Sequence, residues 1–406
     1  MRTVKPAPAC LGDDARDLDG EETAGWFHRT VRAQHAPVLD PRSSRLVCGA
    51  GRPAVRHGLP ALSVFVVLSA LLLGACGGSS QTATSDSMPE SSGSTSMEPA
   101  GVDNAYPVTI EHKFGATEIT EEPQRVLSLG FQEHDTIFAL GVEPIAVRYW
   151  YGDEDDVIFP WAEEAAGDAD PEILNMPELN FEKIAALDPD LILGLYAGIT
   201  EEDYPKLAAI APTVPQSDEY VDYGVPWQEA TRTIGTALGR SERAEELVAE
   251  VEGQFEAVRE AHPEWSGKSI VVATYGADDL SAFTSQDLRS RFFTSLGFEV
   301  PAKFDELAGE LFYATFSYEQ AELLEVDVLV WDQVNFTEGG RATIEADPLL
   351  QQLDVVQEGR TVFIGELEDA FAWNSVLSLP VALDGLVPML ERATDGDPTT
   401  EPSPAS

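Results

Sequence analysis

Between residues 106 and 393 the apolar positions fall into two alternating signatures. Short runs rich in Val, Ile and Leu read as strands buried on both faces, and stretches with apolar residues three and four positions apart read as helices. Arg125–Leu129 (RVLSL) is a strand ending at Gly130. Glu133–Leu140 follows as a helix stopped by Gly141, and Pro144–Val147 as a short strand leading into Arg148-Tyr149-Trp150-Tyr151. A helix around Glu201–Ile210 precedes Thr213-Val214-Pro215. Ser241–His262 is the longest helical stretch, with Ser241 as its N-cap and Pro263 as its stop. At ~1.5 Å per residue it would run about 33 Å, enough to cross a lobe. The order then recurs, with a strand at Ser269–Thr274, a helix at Asp287–Leu296 ended by Gly297, a strand at Thr361–Ile364 and a closing helix at Asn374–Arg392.

One unit occurs in both halves. Leu179–Gly194 (LNFEKIAALDPDLILG) and Phe316–Trp331 (FSYEQAELLEVDVLVW) superpose without a gap. Glu182 meets Glu319, Asp190 meets Asp327, and Leu191-Ile192-Leu193 meets Val328-Leu329-Val330. In each copy Asn180 or Ser317 caps a short helix with an acidic first turn, and an apolar strand follows an Asp. The pattern predicts an α/β fold of two Rossmann-like lobes with central parallel sheets, joined by one long spine helix. The lobes would occupy residues 105–240 and 263–393, the spine 241–262, and a disordered tail 394–406.

The chain upstream reads differently. Residues 1–57 have no clear periodicity and are expected to lie outside the mature protein, with translation starting nearer Val47 or Val55. Leu59–Leu73 is an apolar run behind Arg52, Arg56 and His57, too short for a spanning helix and suited to a signal-peptide core within residues 58–75. It ends in Leu73-Gly74-Ala75-Cys76, which resembles the lipobox of bacterial lipoproteins, with Cys76 as the acylated residue. The alternative is a core helix with a chance cysteine. Residues 76–104 are rich in Gly, Ser and Thr and read as a flexible tether to the outer face of the cytoplasmic membrane. Cys10 and Cys48 precede the export segment, so the mature chain has no intrachain disulfide framework. Lys and Arg number 25 against 71 Asp and Glu, a formal net charge of −46, which disfavours nucleic acid and anionic lipid as partners.

Lipobox, tether, the RVLSLGFQEHDTIFALGVEPIAV opening, the spine helix and the paired units together resemble an iron–siderophore substrate-binding lipoprotein of ABC importers, of the helical-backbone class. The resemblance spans roughly residues 106–392. It implies two lobes facing each other across a shallow cleft, and a monomer that binds a ferric siderophore. Iron would be held by the siderophore, with no cofactor and no direct protein ligand to metal. It also implies one surface glutamate per lobe contacting arginines of the permease, and the matching residues are Glu182 and Glu319. Their equivalent places suit a symmetric, charge-assisted contact. Helix-dipole stabilisation of about 0.3–1 kcal/mol each is the plain alternative.

Ligands of open α/β lobes sit beyond the carboxyl ends of strands. That rule selects Arg148, Tyr149, Trp150, Tyr151, Tyr196, Tyr223 and Trp227 in the first half. In the second half it selects Tyr275, Phe283, Arg289, Arg291, Trp331, Asn335 and Trp373. Guanidinium suits chelate oxygens and aromatic rings supply flat walls, so the ligand-binding set is Arg148, Trp150, Tyr196, Tyr275, Arg289, Arg291, Trp331 and Trp373, led by Arg148 with Trp150. Trp331 and Trp373 would serve equally as interior packing, and the second-half arginines as partners of Asp287 or Asp278. After Cys76 the chain has His112, His134 and His262 only, which argues against a bare metal site. Haem and cobalamin remain open as ligands of the same fold. No G-x-S-x-G, H-E-x-x-H, P-loop or G-x-G-x-x-G motif supports an enzyme, and Glu133-His134-Asp135 reads as a solvated helix start. A surface adhesin would leave the two lobes unexplained.

Overall fold

The computed structural model describes residues 106–149 and 157–403. The export segment, Cys76, the tether, Trp150 and Tyr151 lie outside the described residues. The first lobe opens with an antiparallel hairpin, β1 (Val108–His112) and β2 (Gly115–Ile119). Five parallel strands follow: β3 (Val126–Ser128), β4 (Ala146–Arg148), β5 (Glu172–Leu174), β6 (Leu191–Gly194) and β7 (Thr213–Pro215), in the order β5-β4-β3-β6-β7. β3, β4, β6 and β7 are buried at every residue, which is why they read as continuous apolar runs. The hairpin shields the β7 edge: the Thr117 hydroxyl donates to the Thr213 carbonyl at 2.6 Å and the Lys113 amide to the Gln216 carbonyl at 3.0 Å.

The second lobe holds β8 (Ile270–Tyr275), β9 (Leu280–Phe283), β10 (Tyr313–Phe316), β11 (Val328–Trp331) and β12 (Thr361–Phe363), in the order β10-β9-β8-β11-β12. β8, β11 and β12 are parallel, whereas β9 runs antiparallel to both β8 and β10. The sheet expected to be parallel is therefore mixed. LSAF and YATF are four residues each and carry Ser or Thr, so they leave no long apolar run; β9 follows β8 through a tight turn, and β10 returns after two helices, Leu288–Ser295 and Lys303–Ala308.

The paired units fold alike. Asn180 accepts from the Lys183 amide at 2.9 Å to cap the helix Phe181–Ala186. Ser317 and Gln320 form a capping box on the 3₁₀ segment Tyr318–Leu324. The repeated aspartates have one task. Asp190 accepts from the amides of Gln124 and Arg125, both at 2.8 Å, just before β3. Asp327 accepts from the amide and hydroxyl of Ser269, at 2.7 and 2.8 Å, just before β8. Each thus ties the entry of a central strand to the parallel strand beside it, in matching register: Val126 opposite Leu191, Ile270 opposite Val328.

The helix Ser241–Ala261 has 21 residues and buries Ala244, Leu247, Val248, Val251 and Phe255, a stripe at three- and four-residue spacing. Ser241 is its first helical residue rather than its cap; Arg240 holds the cap position with no side-chain bond. The lobes also meet away from the spine. Trp373 packs in an aromatic cluster with Val147, Tyr149, Val157 and Phe159. Two residues on, the Ser375 hydroxyl donates to Asp135 at 2.6 Å.

The tail differs from expectation. Through Ser403 it lies along the second lobe, where the Phe363 amide at the β12 edge donates to the Ser403 hydroxyl at 2.8 Å. Arg392 donates to the Pro402 carbonyl at 2.7 Å and Arg341 to Glu401 at 2.9 Å. These contacts give an exposed strand edge its missing acceptor, which composition alone did not disclose.

Removing the strand-entry clamp should weaken the fold. Asp327→Ala is expected to lose about 1–3 kcal/mol, because the Ser269 amide and hydroxyl lose a half-buried anionic acceptor. Asp190→Ala, at an exposed site, should lose less. Urea midpoints measure both, and an unchanged midpoint for Asp327→Ala would remove the clamp's energetic role.

Candidate functional site

The first-lobe wall is set by a buried carboxylate. Glu133 is 2% exposed, and its Oε1 accepts from the Tyr196 amide at 2.7 Å while Oε2 accepts from the Gln132 amide at 3.3 Å. Gly130 makes room for it: a Cβ there would lie 1.8 Å from Glu133 Oε2. The carboxylate thus joins the turn after β3 to the turn after β6 and seats Tyr196. The Tyr196 ring meets Phe131 at 6.2 Å and Tyr223 at 5.3 Å between centroids. Tyr223 is held with φ 63°, a left-handed conformation rare for a ring-bearing residue.

Burial pushes the Glu133 carboxyl up to about 7, while backbone amides led by that of Tyr196 pull it back. Asp135 rises to about 6, again by burial, opposed by bonds from Ser375 and Trp161. His134, fully buried, falls to about 4 by burial, with its Nε2 3.1 Å from the Val157 carbonyl. The Glu133-His134-Asp135 cluster is therefore interior rather than a solvated helix start. Its acids hold backbone and bridge lobes.

The second-lobe wall comes from the segment between β9 and β10. Phe312 approaches Tyr223 at 5.8 Å between ring centroids. Arg291 donates to the Gly224 carbonyl at 2.6 Å and lies 5.5 Å over the Tyr220 ring. Asp287 caps the helix Leu288–Ser295 through the Arg289 amide at 2.8 Å. Arg289 lies over the Phe283 ring at 4.4 Å, with its Nε 2.8 Å from Asp332 Oδ2 and its Nη1 3.3 Å from Asp287 Oδ2. Tyr196 belongs to this group electrostatically. Burial first, then Asp287, raises its hydroxyl pKa, against the pull of Arg289 and Arg291. Two aromatic walls and two second-lobe arginines thus converge between the lobes.

The residues chosen by the strand-end rule fall into two groups. Tyr196, Tyr223, Arg289 and Arg291 converge as described. Arg148 sits at the end of β4, 5% exposed, donating to the carbonyls of Met176 at 3.1 Å and Pro177 at 2.6 Å. Burial lowers its pKa to about 10, with Tyr223 and Glu133 acting in the opposite sense. Trp331 is 1% exposed in the second-lobe core and Trp373 4% exposed among first-lobe aromatics, so interior packing is their role. Tyr275 donates to Asp347 at 2.8 Å and packs on Tyr318, which places it with the Glu319 segment rather than with Tyr196. Asn335 donates to Glu368 at 3.0 Å. Phe131, Tyr220 and Phe312 join the converging group without having been chosen from the sequence; Phe131 follows β3 and was open to the same rule.

The family of periplasmic binding proteins, tested as a sequence profile, matches residues 126–366. The chain belongs to this family of solute-binding proteins. The ferric-anguibactin-binding protein FatB of Vibrio anguillarum is 29% identical over 301 residues, 69% of this chain and 87% of its own length. A periplasmic solute binding protein of Mycobacterium smegmatis has a similar structure, with a TM-score of 0.61, 34% identity, and coverage of 71% of this chain and 98% of its own. PiaA of Streptococcus pneumoniae, solved in complex with ferrichrome, aligns with a TM-score of 0.62 and 26% identity over 71% of this chain and 99% of its own.

In this binding protein Glu182 and Glu319 are both exposed at equivalent places in the paired units. Glu319's carboxyl lies below the usual range through hydrogen bonds from its own amide and from Ser317. Among the described residues no group of three or more His, Cys, Asp or Glu side chains is arranged to hold a metal ion.

The buried acids set a pH dependence whose sign is fixed. A carboxyl raised to about 7 contributes stability that is full below the ordinary range and lost as pH rises through 7. His134, lowered to about 4, acts oppositely, its contribution being lost as pH falls below its ordinary value. Between about pH 5 and about pH 8 the urea midpoint should fall, and Glu133→Gln should flatten that fall. An equal slope in variant and parent would remove Glu133 as its source.

Proposed function

We propose that this periplasmic binding protein captures a ferric siderophore outside the cytoplasmic membrane and delivers it to the permease of an ABC importer. The observation that carries the reading is the convergence of Tyr196 and Tyr223 of the first lobe with Phe312 and Arg291 of the second, where the lobes meet. Flat apolar surface with few fixed donors suits a bulky, rigid chelate whose iron is already wrapped. FatB, named for ferric anguibactin, and PiaA, solved with ferrichrome, support the same ligand class. YfiY of Bacillus subtilis, named a probable siderophore-binding lipoprotein, supports anchoring as well; it is 24% identical over 278 residues, 66% of this chain and 77% of its own. Cys76 carries the anchor, residues 77–104 form the tether, and the folded part works as a monomer with no resident cofactor.

Ligand contact falls to Tyr196, Arg289 and Arg291, with Arg148 shaping the floor beside Tyr223 and Trp150 following it in sequence. Titrating the protein with ferrichrome should quench its tryptophan fluorescence, while haem and cobalamin leave it unchanged. Binding of haem or cobalamin in place of ferrichrome would reverse the ligand assignment.

Glu182 and Glu319 dock the permease, one from each lobe, through charge-assisted contacts with basic residues. The double variant Glu182→Ala/Glu319→Ala should bind ferrichrome as the parent does and fail to support uptake in cells. Normal uptake would return both glutamates to plain helix-start roles.

A further inference from the structure

The three arginines at the site are already committed. Arg148 is spent on the Met176 and Pro177 carbonyls, and Arg291 on the Gly224 carbonyl. Arg289 faces two carboxylates, Asp287 at 3.3 Å and Asp332 at 2.8 Å, which are 0% and 1% exposed. With all three groups ionised, that buried cluster is net negative. Glu368 feels that charge: its carboxyl is raised to about 7, by burial first and by Asp332 next, so a further negative charge is disfavoured there. Tyr223 contributes no charge, since its phenol is held protonated, its pKa pushed up to about 12 chiefly by burial.

Charge pairs act strongly in such a half-buried site, where the effective dielectric constant is far below that of water. A tris-catecholate complex of ferric iron is trianionic and needs uncommitted cations. A trihydroxamate complex is neutral, because three hydroxamates balance the ferric charge, and it needs only donors and flat walls. The formal net charge of −46 acts in the same direction at long range, repelling polyanions before contact.

We propose that the site selects ferric siderophores of low net charge, neutral or cationic hydroxamate-type chelates, over polyanionic catecholates, because Asp287 and Asp332 neutralise Arg289. The proposal rests on the siderophore reading above and deepens it. The purified full chain is titrated by tryptophan fluorescence with ferrichrome and with a ferric tris-catecholate at one salt concentration. Ferrichrome is expected to bind at least roughly tenfold tighter. Asp332→Asn, which releases Arg289 from one carboxylate, should move that ratio roughly tenfold toward the catecholate, with circular dichroism checking the fold. Tighter binding of the catecholate by the parent chain overturns the charge selection and leaves the siderophore function standing. An unchanged ratio in a folded Asp332→Asn variant removes Arg289 neutralisation as its cause and overturns the proposal. Binding of neither chelate overturns the siderophore reading, and this one with it. Should the variant fail to fold, the parent ratio decides alone.

Discussion

Asp135 is wholly buried in the first lobe, and a buried carboxylate must find donors. It finds the Trp161 indole at 2.8 Å within its own lobe and the Ser375 hydroxyl at 2.6 Å from the second. Ser375 in turn accepts from the Ser378 amide at 3.0 Å, at the start of the closing helix Ser378–Ala393. One carboxylate thereby connects the first-lobe core to the terminal helix of the second. Trp373, two residues earlier, fills a first-lobe aromatic cluster and lies 5.8 Å from the His134 ring. Among the described residues these contacts add to the spine helix and to the Arg291–Gly224 and Tyr223–Phe312 contacts in joining the lobes. Pulling them apart here would expose Trp373 and strip Asp135 of a donor, so the spacing of the walls is largely fixed before a ligand arrives.

That constraint bears on binding. A preformed site avoids much of the ordering cost that a closing cleft incurs. The first-lobe wall carries the same logic inward. Glu133 fills the space a Cβ at Gly130 would take and holds the Tyr196 amide, so the Tyr196 ring is positioned by a buried carboxylate. Burying two acids and a histidine in one turn strains their protonation. The structure tolerates it because each has a fixed partner: backbone amides for Glu133, Ser375 and Trp161 for Asp135, and the Val157 carbonyl for His134.

Much of this was legible in the chain itself, for reasons tied to particular residues. The two units built around Glu182 and Glu319 disclosed both lobes, because a capped helix followed by Asp and an apolar strand is a local pattern. The aspartates' shared task emerges only in the fold, where each, placed before β6 or β11, reaches the entry of the central strand alongside. The first-lobe candidates Tyr196 and Tyr223 could be chosen because the five-stranded sheet there is parallel, so chain order gives the edge at which they emerge. In the second lobe Arg289 and Arg291 were chosen but Phe312 was not, because it lies just before β10, at the far end of the segment that follows β9. Burial was the other gap. Glu133-His134-Asp135 is polar in composition and interior in fact, and Trp331 and Trp373 look available until their neighbours are known. Those neighbours are distant in sequence: Ser375 lies 240 residues from Asp135.

The acidity of the chain and the chemistry of its site then form one argument. A chain rich in Asp and Glu sets a long-range field hostile to anions. A site meant for a polyanion would need to overcome that field with free arginines close at hand. Here Arg148 and Arg291 are engaged with backbone carbonyls, and Arg289 is matched by two buried carboxylates with Glu368 beyond them. Such groups shape the walls and orient donors without contributing net positive charge. Local and global electrostatics therefore favour the same ligands, those whose ferric charge is balanced within the chelate, and leave shape and hydrogen bonding along the Phe131–Tyr196–Tyr223–Phe312 surface to distinguish among them.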